Sequence, residues 1–436
     1  MLTTENDVLR KSQLAGLRSR AEPSTPGPVM TLKRASRPLD RRTSSGRPRE
    51  VASREINRSV ESMLWGRAAG RCEFEGCNRE LYKSRVTQEP VNIAQKAHIY
   101  AFSAAGPRGN RGVERRSLNN IENLMLVCGD CHINIDKKWT LKRYTAPMLQ
   151  KWKRAHEQRI ARVTEIGPDK RSHILLFHAN IGNHRAPLHY RQAADAVFPY
   201  RYPAEDHAFE FGCGNSPLSE ETESLFWEAE SQSLDDHYAA VRRRIDRGDV
   251  THLSVFAIAP QPLLIRLGTL LGDIVPTDVY QLHREPRSTW KWPVRTKTTS
   301  AFEIRRPAST TGPPALVLAL SATITADRIT AVLGPEAAIW TVTVPVPHKE
   351  IVKSPDQLSE IRALLRQLFD EIKAAHGQTA LLHVFPAMPV SLAVEFGRAR
   401  SPKADMPWRI YDQVNTLGGF VPALEIYTTG ATLNAD

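Results

Sequence analysis

Four cysteines in two close pairs constrain this chain more than any other feature. Cys72 and Cys77 enclose four residues, and Cys128 and Cys131 enclose two. Each pair can grip one side of a tetrahedral zinc ion, because thiolates are soft donors that sit about 2.3 Å from the metal. An ion held by four cysteines has no open position, so the expected zinc is structural rather than reactive. Cys213 is left over, and an odd count in this spacing argues against a disulfide framework. Further polar residues surround the second pair: His98 in KAHIYA, Asn123 in IENLMLVC, and His132 and Asp136 in CHINID. The last two stand four apart, which places them on one face of a short helix.

Charge divides the chain. Residues 1–170 hold 33 Lys and Arg against 18 Asp and Glu, whereas the remainder holds 26 against 29. Only the first part is built to meet a polyanion. No stretch of ~18 apolar residues occurs and the amino terminus lacks a signal-peptide core, so a soluble cytoplasmic protein without membrane contact is expected. Residues 1–51, rich in Ser, Pro and Arg, read as a disordered basic arm. Helical spacing runs from Glu55 to Gly70, and a β-like run over 91–102 carries His98. Cys131 and His132 should open a short helix, INIDKK. Thr145 can cap a further one that exposes Lys151, Lys153, Arg154, Arg159 and Arg162.

Beyond a turn near 166–170, apolar strands alternate with helices, the pattern of α/β layers around largely parallel sheet. An internal echo appears there. F256AIAPQPLLIRLG268 and F385PAMPVSLAVEFG397 share Phe, Pro, Leu and Gly at an offset of 129 residues, and each precedes a short strand with a tyrosine, Tyr280 and Tyr411. Two related units in one polypeptide are therefore expected, at about 171–305 and 306–436.

The order His98, Asn123, Cys-x-x-Cys-His resembles the HNH (ββα-metal) nuclease motif. That resemblance implies an endonuclease domain over 52–166 that hydrolyses phosphodiesters. In it His98 is the general base, Asn123 orients its ring, and His132 and Asp136 hold one catalytic divalent cation. Relatives often place an acidic residue or a second His before the base, where this chain has Ala97. Mg2+ is the default ion for an oxygen-rich, water-retaining shell, with Mn2+ or Ni2+ open because of the His ligand. Basic residues such as Arg71, Lys83 and Arg108 would touch backbone phosphates, giving little sequence preference on double-stranded DNA.

The doubled unit resembles a SAVED domain, two fused CARF-like Rossmann-type subunits that sense cyclic oligonucleotides, over 167–436. The expected fold class is thus α+β and α/β multidomain. With an HNH module in front, the architecture is similar to the HNH–SAVED effectors of bacterial CBASS anti-phage defence. This implies a cyclic di- or trinucleotide activator and a homo-oligomer, a dimer at rest that grows to a larger assembly such as a tetramer when activated. Ligands of doubly wound folds lie beyond the carboxyl ends of strands. There, Pro386, Met388 and Tyr411, with Trp290, Lys291, Trp292 and Arg295 nearby, supply flat partners for a base and cations for phosphate. Ordinary packing is the alternative for the two tryptophans. Two other functions stay open: a constitutive or restriction-type HNH enzyme whose second half reads modified DNA, and a zinc module that binds nucleic acid without cutting it. The near-neutral charge of the second half speaks against the former, and the His98, Asn123 and His132 set against the latter.

Overall fold

The computed structural model describes residues 55–110, 112–181, 188–212, 224–293, 301–414 and 418–427; the expected basic arm, Cys213 and Arg295 lie outside them. Among the described residues no helix is long and apolar enough to cross a membrane.

Helix α1 (Arg58–Ala68) starts where Asn57 accepts a hydrogen bond from the Ser59 N–H, and it stops where Ala69 turns left-handed. It buries Leu64 and Ala68 against a two-stranded antiparallel sheet. That sheet pairs β1 (Ala94–His98) with β2 (Leu124–Cys128), setting His98 opposite Leu124. All of β2 is buried, as its run LMLVC requires. Helix α2 (Gly129–Asp136) follows β2 directly. It begins two residues earlier than the sequence suggests, because the Cys128–Cys131 knuckle itself forms the first turn, and it ends at Asp136, leaving Lys137 and Lys138 outside.

Helix α3 (Ala146–Thr164) carries Pro147 in its first turn, but Thr145 makes no side-chain capping bond. Lys153 is a correction to the expected row of exposed cations, since only 2 % of its side chain is exposed. Its ammonium lies between Glu157 and Glu73, tying α3 to the first cysteine knuckle. A buried Lys persists only when paired in this way. Lys151, Arg154, Arg159 and Arg162 do face solvent.

The second half contains two copies of one unit. The first runs β3 (Arg171–His178), α4 (Tyr190–Val197), β4 (Tyr202–Pro203), β5 (Phe209–Phe211), α5 (Ser224–Asp246), β6 (Leu253–Ile258), α6 (Gln261–Leu271) and β7 (Thr277–Val279). The second runs β8 (Glu303–Arg305), β9 (Pro314–Ala319), α7 (Ala326–Leu333), β10 (Ala338–Thr343), α8 (Pro355–His376), β11 (Leu382–Ala387), α9 (Val390–Ala399), β12 (Trp408–Val414) and β13 (Gly419–Ile426). Among the described residues the first sheet reads β4-β3-β6-β7, with β5 also on β3, and the second β13-β12-β11-β9-β10-β8. The parallel cores β5-β3-β6-β7 and β10-β9-β11-β12 therefore share one order. Strands buried on both faces by flanking helices suit this parallel pairing.

Two features depart from the expected layout. Strand β8 pairs with β10, so the division between units falls before residue 303 rather than after 305. The edges β8 and β13 are antiparallel, which qualifies the expectation of a largely parallel sheet.

The repeat is visible atom by atom. Phe256 stacks on Tyr280 with centroids 4.4 Å apart and an interplanar angle of 17°; Phe385 stacks on Tyr411 at 4.4 Å and 14°. Helices α6 and α9 cross where Gly268 meets Gly397. A Cβ on Gly268 would stand 2.8 Å from Gly397 Cα, and one on Gly397 would stand 2.9 Å from Gly268 Cα. The paired glycines are thus explained by close backbone approach about a pseudo-twofold axis.

Candidate metal centre and sensor site

The four knuckle cysteines converge. Their sulfur atoms all lie within 4.8 Å of one another, and Cys77 and Cys128 Sγ are 4.0 Å apart. A tetrahedral ion with ~2.3 Å bonds to sulfur needs sulfurs about 3.8 Å apart, so the donor set fits zinc. The four thiols crowd each other. Burial pushes Cys72 up to about 12, and burial with neighbouring sulfurs pushes Cys131 up as well. Cys128 is brought below its ordinary value: burial opposes ionisation, but hydrogen bonds from Cys131 and Cys77 and the charge of Arg79 outweigh it. A divalent cation would reverse the unfavourable pair by taking thiolates as ligands.

His98 sits at the end of β1, half-buried, while Ala97 faces the core at 1 % exposure. Alternation along the strand sends residue 97 away from the face that carries the imidazole. The expected ligand position is therefore buried in the core beside β2.

Asn123 makes its hydrogen bonds to backbone rather than to the His98 ring, which corrects its expected role. Its amide accepts from Tyr100 N (2.8 Å) and donates to Tyr100 O (3.0 Å) and Leu118 O (2.8 Å). It thus pins the backbone just after the histidine. The ring is held by Asn119, whose Oδ1 lies 2.9 Å from His98 Nε2. Asn119 Nδ2 donates to Glu55 O (3.1 Å), so its oxygen must face the imidazole. A neutral ring bonded to that oxygen carries its proton on Nε2 and keeps its lone pair on Nδ1.

Arg108, expected to touch DNA phosphates, instead turns inward, with 5 % of its side chain exposed. Its guanidinium donates to His98 O (3.1 Å), Ile99 O (2.6 Å), Ile135 O (2.7 Å) and Asp136 Oδ1 (2.8 Å). One planar fork thus joins the end of β1 to the end of α2. His132 Nε2 and Asp136 Oδ2 lie 3.5 Å apart, so this second pair can converge on one cation. Asp136 offers it a single oxygen, because Arg108 holds the other. Neither Arg108 nor Asn119 carried a signal in the sequence, since each acts through a fold-dependent contact.

In the second half, the expected ligand residues are mostly core. Tyr411 is 3 % exposed, stacked on Phe385, with its hydroxyl bonded to His383 Nδ1 (2.9 Å). Pro386 is buried in β11 opposite Leu318 of β9. Met388 packs into the joint core, and its N–H donates to Gln261 Oε1 (3.0 Å). Trp290 is 4 % exposed and meets Phe256 edge to face at 5.3 Å. These four are corrected from ligand contacts to packing residues: Pro386 and Tyr411 lie in buried strands, and Met388 and Trp290 lie in connecting segments packed against the cores. Lys291 is exposed on its turn, and Trp292, half-buried, lines a cleft of 220 Å³ with Tyr200 and Tyr280.

The carboxyl ends of β6 and β11 meet at the pseudo-twofold axis. Pro260 and Pro389 cap α6 and α9 with nearly equal backbone angles. Gln281 Oε1 accepts from both the N–H (3.2 Å) and the hydroxyl (2.6 Å) of Ser391 across the joint. In doubly wound sheets this end is where ligands bind.

Residues 234–426 match the family model of SAVED, the SMODS-associated and fused to various effectors sensor domain. No curated protein sequence matches the chain. Solved structures of SAVED/CARF-domain receptors are similar at low identity. Cap4 of Acinetobacter baumannii with the cyclic trinucleotide 2'3'3'-cAAA gives a TM-score of 0.40 and 11 % identity over 66 % of this chain and 59 % of that one. Cap4 of Moraxella osloensis gives 0.34 and 11 % over 66 % and 59 %. The chain thus spans 59 % of the length of each of these receptors. By the family model, residues 234–426 of this chain are a SAVED sensor domain.

Proposed function

We propose that this protein is a CBASS-type effector in which a cyclic oligonucleotide, bound by the SAVED domain, switches on an HNH-type DNA endonuclease at the amino-terminal zinc module. The observation that carries the nuclease reading is the joining of four groups in one place. An imidazole with a fixed tautomer and a metal-capable His132–Asp136 pair are tied together by Arg108, and the four-cysteine cluster draws Cys131 from the same helix as that pair. A module that merely binds nucleic acid has no use for the first two. The sensor reading rests on the family match and on the duplicated fold, whose two carboxyl-end loops meet.

His98 would take a proton from water at Nδ1, with Asn119 keeping the other nitrogen protonated. Asn123 would hold the chain that follows the base, and Arg108 would keep the base in register with α2. A divalent cation at His132 and Asp136, Mg2+ by default, would stabilise charge growing on the phosphate and leaving oxygen. The cysteine cluster would hold the fold through zinc and take no part in the chemistry. Basic residues outside the ion pairs would meet DNA phosphates without reading bases.

The test is plasmid cleavage by the full chain with Mg2+, with and without a panel of cyclic di- and trinucleotides that includes 2'3'3'-cAAA and 3'3'3'-cAAA. Cutting only in the presence of one cyclic nucleotide is the expected result. Cutting without any supports the constitutive enzyme, and no cutting under any condition leaves a binding module. His98→Ala should abolish cleavage while preserving zinc content and nucleotide binding; an unimpaired variant removes its assigned role.

A further inference from the structure

Edge strand β7 and helix α8 enclose a groove whose two stretches, of 220 and 450 Å³, share Thr277, Asp278 and Arg362. One stretch ends at Tyr280 and Trp292, beyond the carboxyl end of β7. The other opens at the amino ends of β6 and β7 and is lined by Arg201, Arg362, Arg366 and Arg398. This lies at the opposite end of the sheet from the loops where a sensor ligand is expected.

The arginines differ in how far their donors are used. Arg398 is buried and committed to Gly272 O, Thr277 O and Glu395, so it is part of the frame. Arg362 places only Nη1 on Glu395 (3.1 Å), and Arg201 only Nε on Asp278 (2.6 Å). Arg366 has no hydrogen-bond or ion-pair partner among the described residues and is exposed. It stands one helical turn from Arg362, and like charges at that spacing repel unless an anion lies between them. Asp278 is already countered by Arg201 and His252, and Asp273 faces solvent at the rim.

We infer that the arginine end of this groove is a phosphate-binding site, separate from the sensor site at the carboxyl ends of the strands. Planar guanidinium groups from two segments, Arg201 before β4 and Arg362 with Arg366 on α8, match a tetrahedral oxyanion, and charge-assisted bonds of that kind are the strong ones. Inorganic phosphate and the phosphate of a mononucleotide share this chemistry. The continuation toward Tyr280 and Trp292 gives a nucleoside somewhere to lie. The inference depends on the SAVED reading only in treating the site as a second one.

Isothermal titration of the full chain with inorganic phosphate, with AMP and with a cyclic trinucleotide, at matched ionic strength, tests it. Wild type should bind both phosphate and AMP, and tighter AMP binding would mean the aromatic end contributes. Arg366→Glu, on an exposed helix face, should weaken both about tenfold or more, while Arg362→Gln weakens them less. Cyclic-trinucleotide binding should be unchanged in both variants. No phosphate binding by wild type, or equal binding by Arg366→Glu, overturns the proposal. So does parallel loss of the cyclic trinucleotide, which would make the groove the sensor pocket itself. Should the cyclic trinucleotide fail to bind wild type while phosphate behaves as expected, the sensor reading falls and the groove stands.

Discussion

Arg108 shows most clearly how a single residue organises the amino-terminal module. Its four bonds span from the strand that bears His98 to the helix that bears His132 and Asp136, and one of them occupies a carboxylate oxygen of the latter. Arg108→Gln should therefore lower cleavage about 10- to 100-fold, the usual cost of losing an outer partner of a metal site. Freed from the guanidinium, Asp136 should also bind the cation more readily, so half-saturation should move to lower Mg2+ as turnover falls. A variant that is merely unfolded would not show that opposite movement; metal titration of the cleavage rate distinguishes the two. Asp278 offers a pH prediction. Burial opposes its ionisation, but hydrogen bonds from His252 and Arg201 outweigh that and bring it down to about 2. A carboxylate depressed in the folded state stabilises above its unfolded value of about 3.9 and loses that contribution as pH falls toward 2. The stability gap between wild type and Asp278→Asn, from urea melts at several pH values, should be constant near neutrality and close between about pH 4 and pH 2.

At the scale of elements, the crossing of α6 and α9 is the joint of the sensor domain. Helix α6 buries Leu263, Leu264, Ile265, Leu267 and Leu271, α9 is buried from Ser391 to Ala399, and the two backbones touch through Gly268 and Gly397. Gly268→Ala or Gly397→Ala should destabilise by about 1–3 kcal/mol, because a methyl there meets backbone that cannot step aside. Thermal melts of the full chain should show the loss in the transition of the second half alone. The cysteine knuckles set the corresponding condition for the first half. Its core is small, built from α1, the β1–β2 pair and α3, and modules of this size lean on a metal for folding. Chelation, or Cys131→Ser, should melt this half while leaving cyclic-nucleotide binding intact, with zinc released in a stoichiometric amount by a colorimetric chelator. The α/β alternation and the 129-residue echo were readable as periodicity, because buried parallel strands and amphipathic helices each leave a pattern. Strands β8 and β13 were not, since short edge strands with mixed faces carry little pattern of their own.

For the whole molecule, charge falls on the half that is proposed to meet DNA. Cleavage should weaken steeply with added salt, as each displaced counterion adds to the slope, whereas cyclic-nucleotide binding should respond far less. A steep slope in both would mean that the second half also meets nucleic acid. The proposed gating has a physical requirement of its own. The nucleotide must bind the active form better than the resting one, and by a margin that matches the change in population. Sedimentation with and without ligand should then show a shift in assembly that tracks cleavage.

What the sequence determined by itself was the set of groups that local spacing encodes: paired cysteines, a histidine and aspartate one helical turn apart, and two copies of one strand–loop–helix pattern. The tertiary structure alone decided which side chains meet across long separations. It put Asn119 rather than Asn123 on the imidazole, drew Arg108 inward, and closed Tyr411, Pro386 and Trp290 into the core. Metal knuckles and helix faces follow from distances of a few residues along the chain. A buried contact follows from how whole elements pack, and no local pattern records that.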